Sequence, residues 1–261
     1  MWSIQNWLIF PGAASQGQKY AILHPSPNYE LVELRTSDGH RTVAAFVKAR
    51  DATRRVRPDA ADRPTLIYFY GNAEHLAHAI GGVLQLSTLG VNVLVVEYVG
   101  YGMADGSPSE QAMYAAADAA YDHLLTRPDV NREKLVPTGL SIGCAAAIDL
   151  ASRRPCAGLV CFSPFTSLPE VARDVAPWLP TGLLLSYRFD NLSKIALYPG
   201  PVFLSHGRDD EVVPFHMSER LVKAIRGPLT FIPLDGAGHN DVFEIGADGL
   251  TEALRTFLDG L

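Results

Sequence analysis

Two short runs, Thr65–Phe69 (TLIYF) and Val91–Glu97 (VNVLVVE), constrain the fold of this chain more than any other feature. Both are near-continuous apolar stretches rich in β-branched and aromatic residues. A strand that alternates apolar and polar residues can leave one face in water. A strand without that alternation is buried on both faces, as in a parallel sheet covered by helices on each side. Parallel neighbours need a long crossover, and between the two runs Leu76, Ile80, Val83 and Leu84 recur at helical spacing.

The same alternation continues along the chain. Strands are expected at Leu31–Arg35 and Val43–Val47, joined by the turn signal Ser37-Asp38-Gly39, and then at Lys134–Thr138, Leu159–Phe162, Val202–Ser205 and Leu229–Pro233. Helices are expected after Ser109, with Ala112, Ala116, Ala120 and Leu124 on one side, after Ser141, around Ser218–Ile225 and over Leu250–Leu258. Ser109-Glu110 supplies a capping hydroxyl and an acidic first turn. This is the pattern of a doubly wound α/β sheet. With no internal repeat and no linker, residues 1–261 read as one domain. Residues 163–200 differ in texture. They are Pro-rich and locally apolar, and a stretch of that length without a clear pattern reads as a small lid.

Composition narrows the function classes. The 261 residues are 48% apolar with a net charge of −6, enough for one sizeable core and too apolar for a disordered chain. Mild acidity argues against nucleic-acid binding, which needs dense Lys/Arg stripes. The charged loop Asp51–Arg63 interleaves its arginines with acids and reads as a solvated connection. No run reaches the roughly 20 apolar residues that span a bilayer. The N-terminal patch Trp7–Phe10 lacks a basic n-region, so a secretory signal is not expected. Cys144, Cys156 and Cys161 show no metal spacing and read as reduced structural thiols in a cytoplasmic protein. The sequence leaves the oligomeric state open.

Gly139-Leu140-Ser141-Ile142-Gly143 lies between an expected strand and the small-residue helix that follows it. In that setting G-x-S-x-G is a nucleophile elbow: a strained turn lifts the serine hydroxyl above the sheet, and glycines let strand and helix approach closely. Pro137 sits in the strand leading to it, so that strand either ends early or carries a bulge. A serine hydroxyl needs a base to take its proton, and the base needs an oriented carboxylate. His206-Gly207-Arg208-Asp209-Asp210 follows one late strand and Gly236-Ala237-Gly238-His239-Asn240 follows the next. His239 is the expected base. Asp210 is preferred over the adjacent Asp209 as the acid, with Asp235 and Asp241 as weaker candidates. His206 reads as structural. His75 and His78 lack a third ligand and read as polar helix residues rather than a metal pair. Tyr70-Gly71-Asn72-Ala73 directly follows a strand, and the backbone N–H groups of Asn72 and Ile142 are the expected oxyanion donors. The Tyr70 phenol is a candidate third donor. The alternative, which weighs more, is a ring packed under the loop with its hydroxyl bonded nearby.

These motifs together resemble the α/β-hydrolase superfamily, in particular the small-lid branch of Bem-type hydrolases, depalmitoylating thioesterases and bacterial serine esterases. The resemblance runs from Leu8-Ile9-Phe10-Pro11 to Gly238-His239-Asn240-Asp241. The family's His-Gly-Asn-Ala motif appears as Tyr70–Ala73, its Tyr-Arg-Gly-Tyr-Gly as Tyr98–Gly102, its Pro-Phe-Thr-Ser as Pro164–Ser167, and its His-Gly-x-x-Asp as His206–Asp210, which supports Asp210. It implies a mostly parallel, twisted eight-stranded sheet with helices on both faces and antiparallel N-terminal strands. Three positions depart from it: Tyr70 for His, Val99 for Arg, with loss of an expected buried ion pair, and Ala104 for a common Ser. The family's N-terminal membrane-anchoring helix is not expected in this chain, and with it action on membrane-bound lipidated proteins is not expected.

The expected activity is hydrolysis of a small-molecule carboxylic ester or thioester through an acyl-enzyme on Ser141, Asp210 and His239, with no cofactor and no metal. Phe165 and the apolar stretch containing Trp178 and Leu183 are candidate acyl-pocket residues, weighed equally against a helix packed on the core. A serine peptidase of aminopeptidase type on the same triad is the runner-up, and a catalytically silent binding protein the reading from another class. Cys144, beside the elbow, reads as buried and inert.

Overall fold

A computed structural model describes residues 4–175, 178 and 185–261. The chain divides into two compact units, Met1–Val136 and Pro137–Leu261. In the first, β1 (Glu30–Arg35), β2 (Arg41–Val47), β3 (Thr65–Phe69) and β4 (Asn92–Val96) take the order β1-β2-β4-β3. β1 and β2 form an antiparallel hairpin with Val32 opposite Ala44, turning at Gly39, whose φ of +89° suits a residue without a Cβ. β2 runs antiparallel to β4, and β4 parallel to β3 with Ile67 beside Leu94. Every residue of β3 and β4 is buried, as the absence of alternation requires. Helices α1 (Ile4–Ile9), α2 (Leu76–Ser87) and α3 (Glu110–Thr126) belong to this unit. The Ser109 hydroxyl accepts from the Ala112 N–H and caps α3.

The second unit carries β5 (Leu135–Leu140), β6 (Leu159–Phe162), β7 (Val202–Gly207) and β8 (Leu229–Leu234) in sequential order. The three pairings are parallel, with Gly139 beside Cys161, Cys161 beside Leu204 and Leu204 beside Phe231. Among the described residues the helices here are α4 (Gly143–Arg153), α5 (Leu168–Val175), α6 (Asn191–Ile195), α7 (Phe215–Ala224), α8 (Val242–Ile245) and α9 (Ala247–Asp259). Together these strands make the eight-stranded, mostly parallel sheet with antiparallel N-terminal strands.

Pro137 does not end its strand. β5 continues to Leu140, and its paired residues with β6 begin at Thr138, so the missing N–H falls outside that ladder. Helix α7 begins three residues earlier than its apolar spacing suggested, because Pro214 serves as its N-cap and fixes the entry. Within 163–200 two short helices are described, α5 and α6. The Asp190 carboxylate caps α6 by accepting from the Ser193 N–H. The three cysteines are free, Cys144 and Cys161 among them buried. Among the described residues no helix is long and apolar enough to cross a membrane.

Candidate active site

The bend between β5 and α4 holds Ser141 at a φ of +53°, a left-handed conformation that costs a non-glycine residue about 1 kcal/mol or more. It is tied down on both sides. The Ser141 N–H donates to the Phe162 carbonyl at 2.9 Å, and the Ser141 carbonyl accepts from the Cys144 N–H at 3.0 Å. Gly139 makes this close turn sterically feasible, since a Cβ there would overlap the backbone of Gly143 and Cys144. The Ile142 N–H, at the N-cap of α4, makes no hydrogen bond among the described residues.

The loop after β8 brings His239 to this bend. Its Nε2 lies 3.0 Å from the Ser141 Oγ and its Nδ1 2.7 Å from the Asp210 Oδ2. With Nδ1–H donating to the carboxylate, Nε2 is left to accept the serine proton. The loops carrying acid and base touch directly. Asp209 N–H donates to the Ala237 carbonyl at 3.0 Å, and a Cβ on Gly207 would overlap the Ala237 backbone. Of the adjacent acids, Asp210 is buried and faces His239, whereas Asp209 is exposed.

The Asp210 carboxylate is crowded with donors. Oδ1 accepts from the Val212 and Val213 N–H groups at 2.9 and 2.7 Å. Oδ2 meets His239 and also His206, whose Nε2 is 3.0 Å away. Burial alone would raise the pKa of this carboxyl. The hydrogen bonds from His206, His239 and the Val213 N–H outweigh burial and hold it well below the usual carboxylate range.

No family model matches. An uncharacterized protein of Mycobacterium tuberculosis is 35% identical over 259 residues, spanning 99% of this chain and 88% of its own length. The alpha/beta hydrolase domain-containing protein 17B of Xenopus tropicalis is 35% identical over 217 residues, 82% of this chain and 70% of the relative. The chain belongs to the α/β-hydrolase family. Its fold is shared by the Pyrococcus furiosus esterase Pf2001, with a TM-score of 0.71 at 17% identity over 92% of this chain and 94% of that one. It is also shared by Est1E of Butyrivibrio proteoclasticus, described with ferulic acid bound, with a TM-score of 0.70 at 19% identity over 88% and 98%.

In this α/β-hydrolase the Tyr70 phenol donates to the Glu97 carboxylate. The ring is fully buried, 4.5 Å from that of Tyr98, whose hydroxyl donates to the Tyr70 carbonyl at 2.6 Å. The packed-ring alternative describes this placement. The Asn72 side chain anchors its loop by donating to the Ile9 carbonyl at 2.8 Å. Phe165 is buried, 6.5 Å from Phe189 edge to face, and Trp178 is 77% exposed. Leu183 lies outside the described residues. His75 and His78 sit with ring centroids 6.1 Å apart, and among the described residues no group of three His, Cys, Asp or Glu side chains could hold a metal.

One group, Glu97, has no counterpart in the sequence reading. Glu97, fully buried just past β4, accepts from the Tyr70 phenol and from the Leu76 N–H at 3.2 Å, so it braces the start of α2. Its signal was strand register: Tyr68 pairs with Val95, which carries residues 70 and 97 to the same level. His206, expected to be structural, is buried at the end of β7, and its contact with the Asp210 carboxylate is what the sequence did not show.

Proposed function

We propose that this chain is a serine hydrolase that cleaves carboxylic esters or thioesters through an acyl-enzyme. One observation carries the reading: the Ser141 hydroxyl, on a left-handed bend, lies 3.0 Å from an imidazole nitrogen whose opposite nitrogen is bonded to a buried carboxylate. His239 Nε2 takes the hydroxyl proton as Oγ bonds to the acyl carbon, and the carbonyl electron pair moves onto oxygen. The Ile142 N–H, beside the nucleophile, stabilises that oxyanion. Collapse expels the alcohol or thiol, which receives the proton from Nε2. A water then gives a proton to Nε2 and attacks the acyl carbon. Collapse of the second intermediate returns the proton to Oγ and frees the acid.

The esterase activity named for structural relatives agrees with this assignment, and a small-molecule ester is the substrate class it implies. The same machinery cleaves activated amides, so an aminopeptidase-type substrate is the competing outcome of the test. A fluorophosphonate probe is expected to label the native protein at Ser141 and to leave Ser141→Ala unlabelled; equal labelling of both rules the nucleophile out. A panel of p-nitrophenyl esters of rising chain length beside an aminoacyl anilide then ranks substrates, and faster turnover of the anilide reverses the ester assignment.

A further inference from the structure

His206 is fully buried at the end of β7, and each nitrogen of its ring has a defined partner. Nε2 faces two acceptors, the Val213 carbonyl at 2.9 Å and the Asp210 Oδ2 at 3.0 Å. Two acceptors on one nitrogen require it to carry the proton. Nδ1 lies 2.5 Å from the Oγ of Ser218, a buried residue of α7. The Ser218 hydroxyl also reaches the Pro164 carbonyl, but at 3.5 Å, and the much closer approach assigns its proton to Nδ1. Phe215 packs edge to face on the ring at 5.7 Å and closes it off from the side.

We propose that His206, locked in its Nε2–H form by Ser218, is a positioning residue that holds Asp210 in the orientation serving His239. Asp210 Oδ1 is fixed by two backbone N–H groups, but those alone leave the carboxylate free to pivot about that oxygen. The His206 donor meets Oδ2, the oxygen His239 uses, and removes the pivot. The opposite tautomer would turn the Nε2 lone pair toward two oxygens, which is repulsive, and the Ser218 hydroxyl disfavours it by donating to Nδ1. The chain Ser218–His206–Asp210–His239–Ser141 therefore extends the triad by two residues that never touch a substrate.

The proposal rests on the triad reading, so its first test needs no substrate. In proton NMR of the full-length protein, the low-field resonance of the His239 Nδ1–H reports its bond to Asp210. His206→Leu is expected to shift or broaden that resonance, and His206→Gln, which retains a donor near Nε2, to preserve it. With the ester the panel shows to turn over fastest, His206→Leu is expected to lower kcat about tenfold at unchanged KM, the scale of losing one hydrogen bond to a charged group. His206→Gln should recover most of that. Ser218→Ala, a smaller change, is expected to shift the resonance and lower kcat about threefold. A His206→Leu protein with the native resonance and native kcat overturns the proposal. If that variant does not fold, Ser218→Ala with native values overturns it instead. A native protein that hydrolyses nothing defeats the proposed activity and leaves the NMR result to decide the positioning role.

Discussion

Asp210 and Glu97 are both carboxylates buried just beyond the ends of parallel strands, and both accept backbone N–H groups, yet their protons respond oppositely. Burial raises Glu97 to a pKa of about 7, because the Tyr70 phenol and the Leu76 and Met103 N–H groups do not offset the loss of water. Burial acts on Asp210 in the same direction and loses to two imidazoles and a backbone N–H. Hydrogen bonds from His206, His239 and the Val213 N–H outweigh burial at Asp210, whereas those from Tyr70, Leu76 and Met103 do not outweigh it at Glu97. The difference lies in the donors and in depth, since Glu97 is the more deeply buried of the two. It also separates two jobs: Asp210 stays ionised beside His239, and Glu97 braces the chain around the Tyr70–Ala73 loop.

The sharpest way to break the comparison is Asp210→Asn. An amide can donate where the carboxylate only accepts, which favours the wrong tautomer of His239, so kcat is expected to fall about 10⁴-fold. A fall below tenfold in a steady-state assay would remove Asp210 from the triad.

Each carboxylate region also has a glycine where a Cβ would collide: Gly207 against the Ala237 backbone, and Gly102, at a φ of +41°, against the Glu97 carboxyl. Alanine at either site is expected to cost about 1–3 kcal/mol in urea melts. Only Gly207→Ala, by displacing the His239 loop, should also lower kcat, on the order of 100-fold. Equal loss of kcat in Gly102→Ala would show that the two regions act as one.

Glu97→Gln sharpens the contrast through pH. In the folded chain Glu97 binds its proton more tightly than the ordinary value of 4.5 implies. Its stabilising contribution is therefore complete below that value and is lost as pH rises through about 7. Over that window the decline is about 3 kcal/mol, and chemical denaturation at several pH values should show it flattened in Glu97→Gln. Asp210 has the opposite sign: its contribution is present above the ordinary carboxylate range and disappears only as pH falls through its depressed pKa. An unchanged slope in Glu97→Gln would mean Glu97 does not titrate in this range. The smallest effect is expected from Tyr70→Phe. Its phenol is bonded to Glu97, so kcat should change less than about threefold; a larger fall would return the phenol to the reaction.

Much of this was legible in the sequence because it is local. β3 and β6 fall on Thr65–Phe69 and Leu159–Phe162 as their unbroken apolar runs indicate, and Ser109 caps the helix it precedes. The bend at Ser141 follows from glycine spacing. Pro137 was ambiguous because its effect depends on which neighbour its missing donor faces, and a single strand does not specify its neighbours. The Tyr70–Glu97 bond had the same obstacle: it is apparent once β3 lies beside β4, and before that the two residues are 27 positions apart with no shared motif. His206 was within reach, but a motif histidine and a bonded one look alike until the angles are known.

The backbone at Ser141 has a consequence for what happens when selection relaxes. The left-handed bend is uphill for every side chain and nearly free for glycine. A lineage that no longer needs the hydroxyl would gain durability by discarding it, so Ser141→Gly should melt at a higher temperature than its reactive parent. Inert descendants of such a protein would then be the sturdier ones, and robustness in a melt would be a poor guide to whether the chemistry survives.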